Sequence, residues 1–211
     1  AYLLSNRAQS IAKPLRLVTN FRSHIGILNC AAGVLDKMFC MFPHAAKVLP
    51  VDEGLFKGPR PNFCQCSGAA FVASLLAQNQ RLVVLCPDDG VDSISSDLDA
   101  GGSANHFVLG CRDAKGLEFE DVLLLDYFCS LPAADQNSWK QLFQKDWGKG
   151  GATSQQYKSP QIEPQLKLLY TAITRCCSRL LFVETRKSLA GNAFFRWLEK
   201  NGLAERMGTS A

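Results

Sequence analysis

Hydrophobic residues in this sequence fall into short runs, and the stretches between the runs have helical spacing. The runs predict six β-strands, at Leu15–Thr19, Asn62–Cys66, Leu82–Cys86, Phe107–Leu109, Val122–Leu125 and Leu180–Val183. Nearly continuous apolar strands are typical of parallel sheets that are buried on both faces. The alternation of strands and helices therefore predicts an α/β fold, a mostly parallel sheet with helices on both faces.

Four segments have the apolar spacing of a helix. The first follows Arg22, and we expect Asn20 or Ser23 to cap its start and Pro43 to end it. Its predicted buried face consists of Ile25, Leu28, Ala32, Leu35, Phe39 and Phe42. The other helices are predicted near Ala69–Gln78, Glu163–Cys177 and Ala193–Asn201.

Two polar stretches interrupt this alternation and are predicted as loops. Asp88–Asn105 is rich in Asp, Ser and Gly, and Ser130–Pro164 surrounds a short helix predicted near Trp139–Trp147. A long excursion of this kind inside a compact domain is often functional or mobile. We expect Gly202 to end the last helix, which predicts one domain over residues 1–202 and a tail over 203–211.

Composition and charge narrow the class of protein. The chain has 211 residues, of which 47% are hydrophobic and 20% charged, enough for one domain with a sizeable core. The net charge of +4 permits nucleic-acid binding without arguing for it. Nine cysteines without a C-x-x-C pair predict a reducing compartment, the nucleus or cytoplasm. No apolar run reaches the ~18 residues of a membrane span, and the start at Ala1 indicates a part of a longer protein.

Three segments carry candidate chemistry. Arg22 lies near the start of the first helix, where positive charge is locally unfavourable, and its guanidinium suits phosphate oxygens. Gly116 allows close backbone approach to a ligand, and Glu118 offers acceptors for a sugar hydroxyl. Arg175 lies opposite the apolar stripe of its predicted helix, so we expect it to point away from the core. On spacing alone, an ordinary surface role explains each of these residues more simply.

The sequence gives no reason to assign a metal site. The run Val122–Asp126 resembles the apolar strand and Asp that hold Mg²⁺ in P-loop proteins, but no G-x-x-x-x-G-K-[ST] motif occurs in the chain. Gly148 and Lys149 lack the upstream glycine of that motif. We therefore predict no metal ligand in this chain.

The three candidate segments resemble, in order, motifs IV, V and VI of UvrD-like superfamily 1 DNA helicases. They read LVTNFRSHIGILN, DAKGLEFEDVLLL and LLYTAITRCCSRLLFVE, and AKGLEF is the most specific piece. The resemblance extends from Leu15 to Val183 and is nearest to large eukaryotic helicase-like proteins with tetratricopeptide and ankyrin repeats. It implies a RecA-like fold of the P-loop NTPase class, namely the second, C-terminal motor domain.

The resemblance also implies a function and a set of partners. In this family ATP with Mg²⁺ binds between two RecA-like domains, and the first domain supplies the phosphate loop and the metal ligands. The full-length protein is then expected to be an ATP-dependent DNA helicase. Its partners are an N-terminal RecA-like domain of the same protein and single-stranded DNA, with no membrane. This chain alone is expected to be inactive.

Individual residues match the motifs. Arg22 and Arg175 resemble the two catalytic arginines that reach the γ-phosphate, where charge builds during transfer. The implied nucleotide-binding residues are Gly116 near the phosphates, Glu118 near the ribose, and Tyr170 and Thr171, which support the geometry of motif VI. The implied DNA contacts are Ser23, His24, Arg112 and Lys115.

One departure keeps alternatives open. The family's motif V begins with a Thr and a His that touch DNA, whereas this chain has Gly110 and Arg112. Arg112 still suits a phosphate contact. The change favours a scaffold or regulatory module that kept a helicase fold, and an RNA-directed motor is a further alternative. The intact Arg22, Glu118 and Arg175 favour the motor.

Overall fold

A computed structural model describes residues 19–42, 53–65, 68–100, 106–144 and 161–207. Its strands are β1 (Thr19–Asn20), β2 (Glu53–Gly54), β3 (Asn62–Gln65), β4 (Leu82–Cys86), β5 (Val108–Gly110), β6 (Phe119–Leu125), β7 (Cys176–Glu184) and β8 (Glu205–Arg206). Six of them form one sheet in the order β5-β4-β6-β7-β3-β8, and every pairing in it is parallel. The strands β1 and β2 pair separately.

Within the described residues, six helices cover the sheet. They are α1 (Ile25–Met41), α2 (Ala69–Gln78), α3 (Val91–Ala100), α4 (Ala133–Gln144), α5 (Ile162–Ile173) and α6 (Leu189–Lys200). None of these described helices combines the length and hydropathy that crossing a membrane requires.

The central strand β6 shows why both faces need a cover. Val122 and Leu124 enter the larger core cluster with side chains of α1, α4, α5 and α6. Leu123 and Leu125 point the other way, into a smaller cluster with side chains of α2 and α3. Successive residues of a strand face opposite sides, so an all-apolar strand requires two covered faces. The predicted α/β fold, a parallel sheet between two layers of helices, is confirmed.

Several predicted elements are correct and others are wrong. The strand Leu82–Cys86 and the helix Ala69–Gln78 match to the residue. The predicted first strand, Leu15–Thr19, lies outside the described residues except for Thr19, which belongs to β1. The predicted loop Asp88–Asn105 is wrong, because it contains a short 3₁₀ turn and α3. Within the second predicted loop, α4 begins at Ala133, six residues before the helix predicted from the sequence.

The first helix is also rotated relative to its prediction. Its deepest side chains are Ile27, Cys30, Ala31, Val34, Met38 and Met41, whereas Ile25 is 38% exposed. The predicted face is correct only in part: Leu28 is buried, and Leu35, Phe39 and Phe42 are partly buried against the core. The shift arises because α1 carries apolar residues around most of its circumference, so the sequence marks no single stripe. Its N-cap is His24, whose Nδ1 accepts the N–H of Gly26, and not Ser23 or Asn20.

The C-terminal end of the fold extends beyond residue 202. Gly202 has φ +64°. The N–H of Leu203 returns to the carbonyl of Leu198 at 2.8 Å, which is the glycine-ended helix stop that the sequence predicts. The chain then forms β8, which pairs with β3. The predicted boundary at residue 202 therefore falls inside the fold.

Candidate active site at the amino edge of the sheet

Three distant segments meet where the strands of the main sheet begin, which we call the amino edge. Arg22 follows β1, Glu118 directly precedes β6, and Arg175 directly precedes β7. The Nε of Arg22 forms an ion pair with Oε2 of Glu118. The N–H of Phe119 donates to the carbonyl of Arg175 at 2.9 Å and joins the starts of the two central strands. The structure thus brings the three motif segments together at one place.

The loop that carries Arg22 is held by its neighbours. The side-chain Oδ1 of Asn20 accepts the N–H of Arg22 at 2.8 Å and the N–H of Ser23 at 3.0 Å. Asn favours such turns because its side chain mimics a backbone acceptor. The backbone of Arg22 is therefore held in a fixed turn, while 43% of its side chain remains exposed.

Arg175 lies in the turn between α5 and β7. Its predicted place on a longer helix is wrong, because α5 ends at Ile173 and Thr174 is the C-cap. The guanidinium donates from Nε to the carbonyl of Thr171 at 3.1 Å and from Nη1 to the carbonyl of Leu117 at 2.9 Å. Burial and the nearby Arg22 guanidinium lower the pKa of Arg175, and Glu118 raises it. Two guanidinium groups and one carboxylate therefore share this site.

Glu118 follows a turn that depends on glycine. Gly116 has φ +89°, and a side chain added there would meet nothing within 4 Å. The conformation alone therefore requires glycine. Because 58% of the Glu118 side chain is exposed, the carboxylate is accessible to a ligand. A competing anion can displace it from Arg22. The site carries one net positive charge when all three groups are ionised, which suits an anion such as a phosphate.

Tyr170 and Thr171 lie on the last turns of α5, and their backbone carbonyls accept bonds from the turn that carries Arg175. The carbonyl of Thr171 accepts the Nε of Arg175, and the hydroxyl of Thr171 donates to the carbonyl of Lys167 at 2.8 Å. The carbonyl of Tyr170 accepts the hydroxyl of Thr174 at 3.0 Å. Both residues are partly buried. This arrangement orients Arg175.

The four predicted DNA contacts do not share one surface. Arg112 and Lys115 are exposed and follow the carboxyl end of β5, with Nη1 of Arg112 3.3 Å from Oδ2 of Asp88. Ser23 is 3% exposed and donates its hydroxyl to the carbonyl of Cys176 at 2.6 Å. His24 is partly buried, and its Nε2 lies 2.6 Å from the carbonyl of Ser178. Ser23 and His24 thus belong to the amino edge, opposite Arg112.

Exposed hydrophobic side chains accompany the site. Among the described residues, five of the seven large hydrophobic side chains that are exposed lie at or beside the Arg22 and Glu118 segments of the amino edge: Phe21, Ile25, Leu55, Phe56 and Leu117. The pairing of β1 with β2 and the bond from the N–H of Ile25 to the carbonyl of Phe56 place Leu55 and Phe56 beside the Arg22 loop. The sequence does not predict this exposed group, and Ile25 is predicted on a buried face. Phe21 and Leu117 gave a signal, because each is apolar and precedes a charged candidate.

One group among the described residues brings three potential metal ligands together, namely Asp126, Cys129 and Glu184. Both oxygens of Asp126 accept bonds from Thr185, through its N–H and its hydroxyl, each at 2.6 Å. Both oxygens of Glu184 accept backbone N–H groups, and burial raises the pKa of this carboxyl to about 8. Mg²⁺ needs ionised, accessible oxygen ligands. The group therefore does not fit Mg²⁺ and holds the turn after β6.

Comparisons with known proteins support the fold. The structure superimposes on the C-terminal domain of a possible DNA helicase from Lactobacillus plantarum WCFS1, with a TM-score of 0.53 and 16% sequence identity. The match covers 89% of this chain and 98% of that domain. The chain therefore has the α/β fold of a helicase C-terminal domain.

At the level of sequence, the chain is similar to TPR and ankyrin repeat-containing protein 1 from Homo sapiens. The two are 33% identical over 221 residues, which include 86% of this chain. The chain spans 7% of the length of that relative. No protein-family model matches the chain.

Proposed function

We propose that this chain is the second motor domain of an ATP-dependent DNA helicase or translocase of the UvrD-like superfamily 1 type. In this proposal Arg22 and Arg175 reach ATP and Mg²⁺ bound by an N-terminal RecA-like domain of the same protein. One observation carries it: residues that are 153 positions apart in the chain, Arg22 and Arg175, meet around Glu118 at the amino edge.

The geometry suggests how the site would act. The carboxylate of Glu118 pairs with Arg22, so the two guanidinium charges do not face each other unscreened. An incoming triphosphate brings more negative charge than one carboxylate and takes the place of Glu118 at the guanidinium groups. Glu118 is then free to accept a ribose hydroxyl. An arginine at the γ-phosphate is worth about 10³–10⁵ in rate.

The exposed hydrophobic residues support a second domain on the same edge. Phe21 is 74% exposed, Phe56 61% and Leu55 53%. Such a concentration of apolar side chains around a charged centre is typical of a surface that another domain covers. A domain seated there excludes water and strengthens the interaction of the arginines with phosphate.

Nucleic acid would bind at the opposite, carboxyl edge. Residues 111–118 connect the carboxyl end of β5 to the amino end of β6, so this segment links Arg112 to Glu118. Buried Cys111 and Ala114 anchor it against the core. Because Asp88 neutralises Arg112 in part, we keep a second candidate, an ATP-responsive module that does not translocate.

The cysteines support a reducing compartment, the nucleus or cytoplasm. All eight cysteines within the described residues are free. Burial raises the pKa of Cys30, Cys86 and Cys176 to about 12, so these thiols stay protonated and pack as small hydrophobic groups.

Substitution of the arginines tests the proposal. In the full-length protein, Arg175→Ala and Arg22→Ala should each lower ATP turnover at least about a hundredfold, because each removes charge from the transferred phosphate. The matched control is Arg81→Ala, since Arg81 lies at the same edge but forms only an exposed ion pair with Glu120. Thermal unfolding checks that the variants fold. Near-normal turnover in Arg175→Ala would contradict the assignment.

The two candidate functions differ in their response to nucleic acid. A motor on DNA should show ATP turnover stimulated by single-stranded DNA, and an RNA-directed motor should prefer single-stranded RNA. Turnover that depends on Arg175 but responds to neither would favour the module that does not translocate.

A further inference from the structure

The two residues after Arg22 connect its loop to the segment that carries Arg175. The hydroxyl of Ser23 donates to the carbonyl of Cys176 at 2.6 Å, across 153 positions of the chain. Ser23 directly follows Arg22, and Cys176 directly follows Arg175. The bond therefore joins the immediate neighbours of the two arginines.

His24 adds a second connection. Its Nδ1 accepts the N–H of Gly26 at 3.2 Å, and its Nε2 lies 2.6 Å from the carbonyl of Ser178. A neutral ring with its proton on Nε2 satisfies both bonds. The ring also fills the space beside Gly58, where an added Cβ would lie 2.2 Å from His24 Cγ. Both ends of the ring and its flank are thus fixed.

Two bonds from adjacent residues restrain rotation as well as distance. A single bond would still allow the loop to rotate about it. The bonds from Ser23 to Cys176 and from His24 to Ser178 hold two points of the loop against two points at the start of β7. The side chain of Asn20 fixes the same loop from the other side. The backbones that carry the two guanidinium groups consequently have a fixed separation.

We propose that Ser23 and His24 are positioning residues that set the spacing of the Arg22 and Arg175 guanidinium groups, and that they are not DNA contacts. Burial of Ser23 and its bond to Cys176 leave its hydroxyl no access to a nucleic-acid backbone. This inference rests on the proposed function, because the spacing matters only if both arginines serve one ligand. Misplacement of a reacting group by about 1 Å costs roughly a hundredfold in rate.

The test measures turnover of the full-length protein with single variants and one double variant. Ser23→Ala should lower kcat for ATP roughly 10- to 100-fold, and Ser23→Thr, which keeps the hydroxyl, should recover most of it. In an Arg22→Ala background, Ser23→Ala should have little further effect, because Ser23 acts through Arg22. The control is Ser74→Ala, whose hydroxyl bonds Phe71 on an exposed part of α2.

His24→Asn gives a second route that does not depend on the folding of Ser23→Ala. Asn is a good N-cap and keeps the bond to the N–H of Gly26, but it is too short to reach Ser178. We expect a lower kcat in a variant that is still folded at the assay temperature, which thermal unfolding checks. Unchanged affinity for single-stranded DNA in both variants supports positioning, and weakened DNA affinity with normal kcat would overturn it.

The outcomes separate this inference from the proposed function. If Arg22→Ala lowers turnover and Ser23→Ala and His24→Asn do not, the positioning role is wrong and the motor assignment stands. If Ser23→Ala lowers turnover equally with and without Arg22, the role of Ser23 is general stability, and the inference is overturned. If Arg22→Ala has no effect, the proposed function fails and the positioning role fails with it.

Discussion

At the scale of single residues, the turn before Glu118 depends on backbone conformation alone. Gly116→Ala should lower the free energy of unfolding by about 1–2 kcal/mol, because a Cβ is strained at φ +89° although the space is open. Gly90→Ala is the matched control, since its added Cβ meets only Ile94 at 3.6 Å with no positive φ. Chemical denaturation compares the two, and equal losses would disprove the conformational explanation.

Glu184 gives the fold a pH dependence. Burial raises its pKa to about 8, above its ordinary value of 4.5, although the N–H groups of Phe128 and Cys129 lower it. The folded state therefore holds a proton that the unfolded state releases, and stability falls as the pH rises from about 4.5 to 8. Between pH 5 and pH 8 the parent should lose more unfolding free energy than Glu184→Gln. Equal slopes in urea titrations would contradict this.

The arginines show how far residue-level prediction reached. Arg22, Glu118 and Arg175 were singled out from the sequence, and they do lie together. The bonds of Ser23 and His24 cannot be predicted from the sequence, because both side chains donate to backbone carbonyls more than 150 positions away. Every residue has a backbone carbonyl, so the sequence does not indicate which one accepts a bond, and such contacts are found only in a structure.

At the scale of elements, α2 covers its face of the sheet with very few side chains. Val72 and Leu76 are its buried residues. Leu76→Ala should cost about 2–5 kcal/mol, because the smaller core cluster has few neighbours able to fill the cavity. Leu75→Ala on the same helix is the control, since Leu75 is only partly buried. A similar loss for both in thermal or urea unfolding would refute the difference in burial.

The elements that were predicted well have unambiguous apolar patterns. All five residues of β4 are buried, so its continuous run marked it clearly. The helix α3 was missed because Leu98 is its one buried residue and its other positions are largely Asp and Ser. The end of α5 was placed four residues too late, since Cys176 and Cys177 fit a helix or a strand equally well. A short polar helix such as α3, with a single buried residue, has too little apolar periodicity to be recognised in the sequence.

At the scale of the whole molecule, the proposed function makes the chain one side of a two-sided site. The isolated 211-residue chain should release no phosphate from ATP above background, because its sequence contains no phosphate loop. Supplying the N-terminal RecA-like domain should restore turnover that depends on Arg175. Phosphate release measured with each domain alone and with both together checks this, and hydrolysis by the isolated chain would contradict it.

The strand order has a consequence for synthesis of the protein. The first strand of the main sheet, β3, lies between the last two, β7 and β8. A nascent chain therefore carries β3 with both edges open until more than a hundred further residues have been made. Pairings between distant segments form slowly and expose strand edges to aggregation in the meantime. Arg175 directly precedes β7, so the arginine pair forms only as β7 joins the sheet.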